Sequence, residues 1–201
     1  MLQVAVKLPP TIGDVGEYLA DVTALEAAGA HTIWVDDSAL EPWIVLGAMS
    51  AVTHRIGLGC LLTSMGQWPT KRLSACVSTL QKLSRGRIVV GLAPRDRQAT
   101  DVAVLQAAGA RVFTTGSHEK PAEGVIFNVE SADQLSDGRG QDVEVWAGIA
   151  IPPDREAWAR TLGSYEEAGA TGVIVSWNAR VLDLLRNPEA DDRSDLLIST
   201  G

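Results

Sequence analysis

The sequence contains few of the residues that mark metal sites and disulfide scaffolds. Its 201 residues include two cysteines and three histidines. Cys60 and Cys76 have neither the spacing of metal ligands nor the density of a disulfide framework, so we expect two reduced thiols, as in a cytoplasmic protein. The histidines are scattered along the chain, and no metal site is expected.

Long apolar runs and an excess of positive charge are also missing. No apolar stretch approaches the ~20 residues that span a bilayer. The first ten residues, MLQVAVKLPP, lack the basic and apolar regions of a secretory signal. The net charge of −8 argues against a nucleic-acid-binding surface, because phosphate binding requires basic residues. These absences predict a cytoplasmic protein that binds neither membranes nor nucleic acids.

The chain does contain one short pattern three times. It occurs as LEAAGAHTIWVDD, LQAAGARVFTTG and YEEAGATGVIVSW. Each copy joins a helix-favouring run to Ala-Gly-Ala and then to a β-branched run. A glycine just past a helix end can adopt the left-handed conformation that closes the helix. Each copy therefore predicts a helix, a tight turn and a buried strand, although Gly29, Gly109 and Gly169 are too unevenly spaced for a strict repeat.

The same alternation of strand and helix continues along the rest of the chain. Units of this kind normally build parallel sheets. We predict strands at 2–8, 31–36, 56–61, 87–92, 111–114, 124–129, 143–149 and 171–176, and helices at 14–28, 41–53, 69–84, 96–108, 131–136, 153–168 and 178–186.

Eight strands in this order predict an α/β fold, a compact (β/α)8 TIM-type barrel. The stretch between residues 114 and 131 has no room for a full helix, so at least one helix should be shortened or missing. We expect residues 1–186 to form a single domain and residues 187–201 to form a polar tail. The alternative is an open doubly wound sheet, but the chain lacks both G-x-G-x-x-G after its first strand and a P-loop.

The carboxyl ends of the strands are where barrels of this type place their active sites. Most of the predicted strand ends are small, apolar or hydroxyl-bearing, and only the second ends in clear carboxylates, Asp36 and Asp37. No Ser-His-Asp set, pair of glycosidase carboxylates or Schiff-base lysine emerges. A mostly uncharged site suits a cofactor that carries the chemistry itself. We therefore predict a cofactor-dependent site, with Asp36 and Asp37 as its catalytic residues.

Several ordered motifs between residues 15 and 93 resemble the bacterial luciferase-like family of flavin- or deazaflavin-dependent oxidoreductases. The resemblance lies in Gly29-Ala30 followed by Trp34-Val35, in THRIGLG at 53–59, in LSRGR at 83–87 and in Gly91-Leu92-Ala93. Each motif is weak alone, but their order is specific. The resemblance implies an FMN- or F420-dependent oxidoreductase or monooxygenase that acts on a small molecule, commonly as a homodimer through helices near the second and third strands. The run Trp43–Leu46 would suit that contact.

The resemblance also implies where the cofactor ring would lie. The end of the third strand would back the ring, the end of the fourth would form the next wall, and Asp36 or Asp37 would stand near ring or substrate. By the barrel rule, the ends of the seventh and eighth strands join them. The expected cofactor-binding residues are Cys60, Leu61, Leu62, Thr63, Gly91, Leu92, Ala93, Gly148, Ser176 and Trp177.

Two other functions remain open. A non-catalytic relative, either a ligand carrier or the inactive partner of a catalytic chain, is favoured by Trp68 and Ala93, which replace residues frequent in the family. A phosphate-handling lyase or isomerase would need an anion site on the last two strand-to-helix loops, and GIAIPPDREAW offers a helix start there but no glycine nest. Cys60 and Ser84–Arg87 are expected to have structural roles. Cys60 would pack in the core, and Ser84–Arg87 would lie at the amino end of the barrel, which contributes to stability.

Overall fold

The computed structural model describes residues 2–63, 68–93, 99–116, 122–138 and 143–186. The predicted polar tail, 187–201, lies outside the described residues. All eight predicted strands are present. They are Gln3–Lys7 (β1), Thr32–Asp36 (β2), Gly57–Leu62 (β3), Ile88–Leu92 (β4), Arg111–Thr115 (β5), Gly124–Asn128 (β6), Glu144–Ile149 (β7) and Gly172–Ser176 (β8).

The helices lie between the strands and have unequal lengths. The described residues between β5 and β6 contain no helix, and the predicted helix at 131–136 is a 3-10 helix. Both findings confirm that the helix layer is incomplete. None of the described helices is long and apolar enough to cross a membrane. The helices are Val15–Ala27 (α1), Pro42–Val52 (α2), Thr70–Ser84 (α3), Ala99–Ala107 (α4), Arg155–Glu167 (α5) and Ala179–Arg186 (α6), with the 3-10 helix at Ala132–Gly138.

The eight strands form one closed parallel barrel. Each strand pairs with the next in the chain, and β8 returns to pair with β1, with Val173 opposite Val4. The predicted (β/α)8 barrel is confirmed, and the open sheet is wrong. Because the strands are parallel, all eight carboxyl ends meet at one rim of the barrel.

The repeated Ala-Gly-Ala joint closes three helices in the same way. Gly29 has a φ of 87°, its N–H donates to the Glu26 carbonyl, and the N–H of Ala30 donates to the Leu25 carbonyl. This pair of bonds is the Schellman motif, which requires a residue with positive φ. Gly109 and Gly169 repeat the geometry at the ends of α4 and α5. The sequence pattern thus predicts a specific turn as well as a helix end.

The barrel interior is filled by three large aromatic side chains, Trp34, Phe113 and Trp146. Each lies directly across from a glycine on the following strand: Trp34 from Gly59, Phe113 from Gly124 and Trp146 from Gly172. A methyl group on any of these glycines would come within 2.8 Å of the opposing ring. The glycines make room for the rings, and the barrel is a packed core with no channel through it.

Two charged residues hold the loops at the amino end of the barrel. The Arg87 guanidinium donates to the carbonyls of Ser84, Ile56 and Thr53 and to the Thr53 hydroxyl. Glu26 accepts hydrogen bonds from the backbone N–H groups of residues 54, 55 and 56. These contacts support the structural role predicted for Ser84–Arg87.

Candidate functional site

A cavity of about 340 Å³ opens at the carboxyl ends of the strands, and we refer to it as the mouth cavity. Its volume lies at the lower end of the range of about 300–1,000 Å³ that small-molecule sites occupy. Residues from six of the eight strands line it: Lys7, Leu61, Thr115, Ile126, Asn128, Gly148, Ile149, Ile174, Val175 and Ser176.

The floor of the mouth cavity is apolar. Leu61, Ile126 and Ile174 point inward from β3, β6 and β8 and pack with the interior aromatic cluster. Below them the three aromatic rings close the barrel, with the Trp34 and Phe113 centroids 6.2 Å apart. A ligand can therefore enter only as far as this floor, and any chemistry takes place at the mouth.

An ion pair connects β1 to β2 at the edge of the cavity. Lys7 Nζ lies 2.7 Å from Asp36 Oδ2, and Asp36 also accepts hydrogen bonds from the backbone N–H and hydroxyl of Ser38. Burial alone would raise the pKa of Asp36, but the bonds from Lys7 and Ser38 outweigh it and lower the pKa. Asp36 is consequently ionised, and it fixes the position of the Lys7 ammonium.

Asp37 has a different environment from its neighbour. Its carboxylate accepts hydrogen bonds from the Thr63 hydroxyl at 2.7 Å and from the Thr63 N–H at 2.9 Å. These bonds connect the end of β2 to the end of β3. Asp36 and Asp37 are thus both at the predicted rim, and each already holds a structural contact.

Four of the predicted cofactor-binding side chains face away from the mouth. Cys60, Leu62 and Leu92 lie buried between the sheet and the helices, as the alternation of side chains along a strand requires. Trp177 packs in the same layer, near Asp21 of α1. Burial, with the nearby Asp37 and Asp36 charges, raises the pKa of the Cys60 thiol well above its usual value. Cys60 is a packing residue, and these four residues can border a ring only through their backbone.

The two predicted glycines at the rim make room for neighbouring side chains. A methyl group on Gly91 would lie 2.6 Å from Cδ2 of Leu61, and one on Gly148 would lie 2.5 Å from Oδ1 of Asn128. The space above Gly91 therefore holds Leu61. Gly148, Leu61 and Ser176 line the mouth cavity, while Thr63 and Ala93 lie beside it at the ends of β3 and β4.

Three polar residues at predicted strand ends also line the mouth cavity but are not among the expected site residues: Lys7, Thr115 and Asn128. Strand alternation carries the missing signal. Each of them lies two residues after an inward-facing core residue, namely Ala5, Phe113 and Ile126. Counting in twos from the interior residues would therefore have assigned all three to the mouth.

Two buried hydrogen-bond donors without a partner lie at or just before the starts of helices at the same end of the barrel. The indole N–H groups of Trp43 and Trp68 make no hydrogen bond within the described part of the chain. The two rings pack edge to face, with centroids 6.0 Å apart, near the starts of α2 and α3. Such donors are rare in native structures unless a ligand or water accepts from them. Neither of these rings lines the mouth cavity, because both pack in the layer between the sheet and the helices. The apolar floor and the polar groups beside it are the features that fit a planar ring with carbonyl groups, such as a flavin or deazaflavin.

Two larger depressions lie outside the mouth cavity. One of about 720 Å³ lies at the amino end beside His31, and one of about 650 Å³ lies between the 3-10 helix and α5. The first contains Glu26, whose carboxylate is already used by three backbone N–H groups. Across the described ranges, no group of three or more His, Cys, Asp or Glu residues could hold a metal.

The sequence and fold are similar to those of known proteins. Residues 3–124 match the model of the luciferase-like monooxygenase family. The phthiodiolone/phenolphthiodiolone dimycocerosates ketoreductase of Mycobacterium sp. (strain JLS) is 31% identical over 170 residues, 77% of this chain and 44% of that protein. The chain thus spans less than half the length of this curated relative.

Two solved structures have a similar fold. The coenzyme F420-dependent tetrahydromethanopterin reductase of Methanopyrus kandleri superposes with a TM-score of 0.72 at 10% identity, covering 93% of this chain and 98% of the other. An F420-dependent secondary alcohol dehydrogenase with an F420-acetone adduct superposes with a TM-score of 0.74 at 10% identity, covering 94% and 98%. At this identity the structures show the fold alone, whereas the family match covers more than half of the chain. The chain belongs to the luciferase-like monooxygenase family.

Proposed function

We propose that the chain is an oxidoreductase barrel that binds an isoalloxazine-type ring, that of FMN or of coenzyme F420, at the mouth cavity. The observation that carries the proposal is the combination of an apolar floor with a few polar groups at the carboxyl ends of a luciferase-like barrel. When bound, the ring supplies the redox chemistry, and the protein supplies shape, orientation and exclusion of water.

The predicted site residues receive separate roles in this proposal. Leu61 and the backbone of residues 60–63 lie behind the ring. The backbones at Gly91–Ala93, Gly148 and Ser176–Trp177 form the surrounding wall. Asp36 and Asp37 act through the residues they hold, because the carboxylate of Asp36 binds Lys7 and that of Asp37 binds Thr63.

The experiment is a titration of the 201-residue chain with FMN and, separately, with F420, followed by absorbance and fluorescence. We expect saturable binding of one of them, and the names of the two structural neighbours make F420 the first to test. Leu61→Asp introduces a charge on the floor and should abolish binding, whereas Leu83→Asp, on the exposed part of α3, should leave it unchanged. Absence of binding for both cofactors contradicts the proposal.

The second candidate is a relative that binds a ligand without catalysis. The small volume of the mouth cavity favours it, because Leu61 and Asn128 fill the space above the two rim glycines. Stopped-flow reduction and reoxidation of the bound cofactor separates the two functions. Turnover supports the oxidoreductase, and binding without turnover supports the carrier.

We also propose a homodimer that uses the exposed face of α2. Trp43, Val45 and Leu46 are buried against the protein's own helix layer, so the predicted run contributes one free apolar side chain, Ile44, which is 73% exposed. Sedimentation of the native chain should give a dimer, and Ile44→Asp should shift it to the monomer. Ala51→Asp, at an exposed position at the other end of α2, is the matched control.

A further inference from the structure

Three polar side chains line one side of the mouth cavity, and we name Lys7, Ser176 and Asn128 the polar arc. They come from β1, β8 and β6, and β7 lies between the last two. Lys7 is directly opposite Ser176 in the β1–β8 register, and Asn128 is opposite Gly148 in the β6–β7 register. The arc therefore spans four consecutive strands.

Gly148 makes the arc continuous. Because it has no side chain, the Asn128 amide lies over it, where a methyl group would be 2.5 Å from Oδ1. The amide thereby leans from β6 towards β8 and Ser176. Any side chain at position 148 would separate the two polar groups. The glycine that the sequence suggested as part of a cofactor wall thus brings polar groups together.

The polar arc has unused hydrogen-bonding capacity. Within the described ranges, neither the Asn128 amide nor the Ser176 hydroxyl donates or accepts a side-chain hydrogen bond. The Lys7 ammonium has three N–H donors, and it pairs with one carboxylate oxygen of Asp36. Donors therefore converge on the cavity directly above the apolar floor.

The charge around Lys7 favours an uncharged ligand. The Asp36 carboxylate, 2.7 Å away, neutralises the ammonium, and Asp37 adds a second negative charge at the same rim. The net charge of the chain, −8, adds a long-range repulsion of anions. A carboxylate or phosphate would therefore be disfavoured, whereas a carbonyl or hydroxyl oxygen can accept from Lys7 without this repulsion.

We propose that the polar arc binds the uncharged carbonyl or hydroxyl oxygen of a small substrate whose apolar body rests on Ile126 and Ile174, beside the proposed ring against Leu61. Lys7 contacts that oxygen, and Asp36 is a positioning residue that holds the ammonium and suppresses anion binding. The inference names the substrate class of the proposed oxidoreductase and rests on that function for its redox role. Binding of the oxygen itself needs no cofactor.

The test uses the cofactor-free chain and two probes of similar size, cyclohexanone and cyclohexanecarboxylate, followed by ligand-observed saturation-transfer NMR. We expect millimolar binding of the ketone and at least tenfold weaker binding of the carboxylate. Lys7→Met should weaken ketone binding about tenfold or more, the usual effect of losing a charged donor. Lys82→Met removes an exposed lysine at the far end of α3 and should change neither affinity.

Asp36→Asn tests whether Asp36 controls ligand selection, because a purely structural role of Asp36 would not change the relative binding of carboxylate and ketone. It frees the Lys7 charge, so carboxylate binding should rise relative to ketone binding by about tenfold. If Lys7→Met does not fold because Asp36 is left unpaired, the charge-neutral double variant Lys7→Met/Asp36→Asn and the variant Ser176→Ala test the same contact.

Two results would overturn the inference: equal or tighter binding of the carboxylate by the native chain, or ketone binding that is unaffected by Lys7→Met and Ser176→Ala. The cofactor titration separates this failure from that of the proposed function. If the chain binds a cofactor but does not prefer the ketone, only the proposed substrate class is wrong. If the chain prefers the ketone but binds neither cofactor, the proposed oxidoreductase function is wrong and the proposed oxygen-binding site is retained.

Discussion

The two ends of the barrel use polar residues in opposite ways. At the amino end, Arg87 and Glu26 each make at least three hydrogen bonds to backbone groups and protein hydroxyls. At the carboxyl end, Asn128 and Ser176 face a cavity, and the Trp43 and Trp68 indoles have no acceptor among the described residues. At the amino end these charged groups bind the protein itself, while the carboxyl end retains donors that have no partner among the described residues. Barrels of this type generally divide stability and function along their axis in this way.

The packed interior separates these ends and should tolerate change least. Gly172→Ala would place a methyl group 2.5 Å from the Trp146 ring and 2.7 Å from the Gln3 carbonyl oxygen, which belongs to the backbone and cannot turn aside. We expect a loss of about 3 kcal/mol in the free energy of unfolding, the upper part of the usual range for overpacking. Urea denaturation measures it.

The control for this change is a glycine in a helix. Gly163 lies in α5, and a methyl group there meets nothing within 4 Å. Gly163→Ala should therefore raise the free energy of unfolding by about 0.5–1 kcal/mol, since it lowers the entropy of the unfolded chain. Equal effects of the two substitutions would show that the interior is not packed as the Trp146–Gly172 pair indicates.

Breaking the amino end should change stability without changing ligand binding. Arg87→Met removes a guanidinium that donates to several buried oxygens, and we expect a loss of about 2 kcal/mol. The affinity of the folded variant for cyclohexanone and for the cofactor should equal that of the native chain. A large loss of affinity in a folded Arg87→Met protein contradicts the division between the two ends.

Much of the fold, and less of the site, could be predicted from the sequence. The barrel follows from local signals, because the three Ala-Gly-Ala joints and the alternation of strand and helix depend on neighbouring residues. The rim location of Asp36 and Ser176 follows from the barrel rule. The direction of individual side chains was missed: Leu62 and Leu92 face the helices, and Lys7 and Asn128 face the cavity.

The remaining features depend on pairings between strands, which no single segment encodes. Asn128 lies over Gly148 because β6 and β7 are in register at those residues, and Lys7 meets Asp36 across β1 and β2. Likewise, the requirement for Gly59 is visible only when Trp34 is known to lie opposite it. Register, which long-range packing fixes, is the information that the sequence patterns lack.

The pH dependence of stability allows a comparison of the two barrel ends, with one carboxylate at each end. The pKa of Asp36 is lowered in the folded protein, so its ionised form contributes stability that is fully present above the unfolded pKa of about 3.9. This stability is lost as the pH falls through the lower folded value. Burial, followed by the Asp36 charge, raises the pKa of neighbouring Tyr18 to about 12, so Tyr18 does not titrate in this window.

Asp36→Asn should therefore reduce stability at neutral pH and flatten its decline below about pH 4. Thermal unfolding from pH 2 to 7 measures both effects. At the amino end, Glu26→Gln should behave similarly, because the backbone hydrogen bonds to Glu26 outweigh burial and lower its pKa. Only the Asp36 variant should also change the ketone-to-carboxylate preference. If both variants show the same ketone-to-carboxylate preference, Asp36 does not control ligand selection at the mouth cavity.

The smallest expected effect concerns the turn after α3. Arg85 is the one non-glycine residue with positive φ in the described part of the chain, at 59°. A side chain in this left-handed conformation is strained, so Arg85→Gly should stabilise the protein, but the greater entropy of glycine in the unfolded state offsets part of the gain. We expect a net increase of about 0.5 kcal/mol, and Arg85→Ala, which keeps the strain, should give none. Because this turn lies at the amino end, ketone and cofactor binding should be identical in all three proteins, and any change in affinity would show that the two ends are coupled.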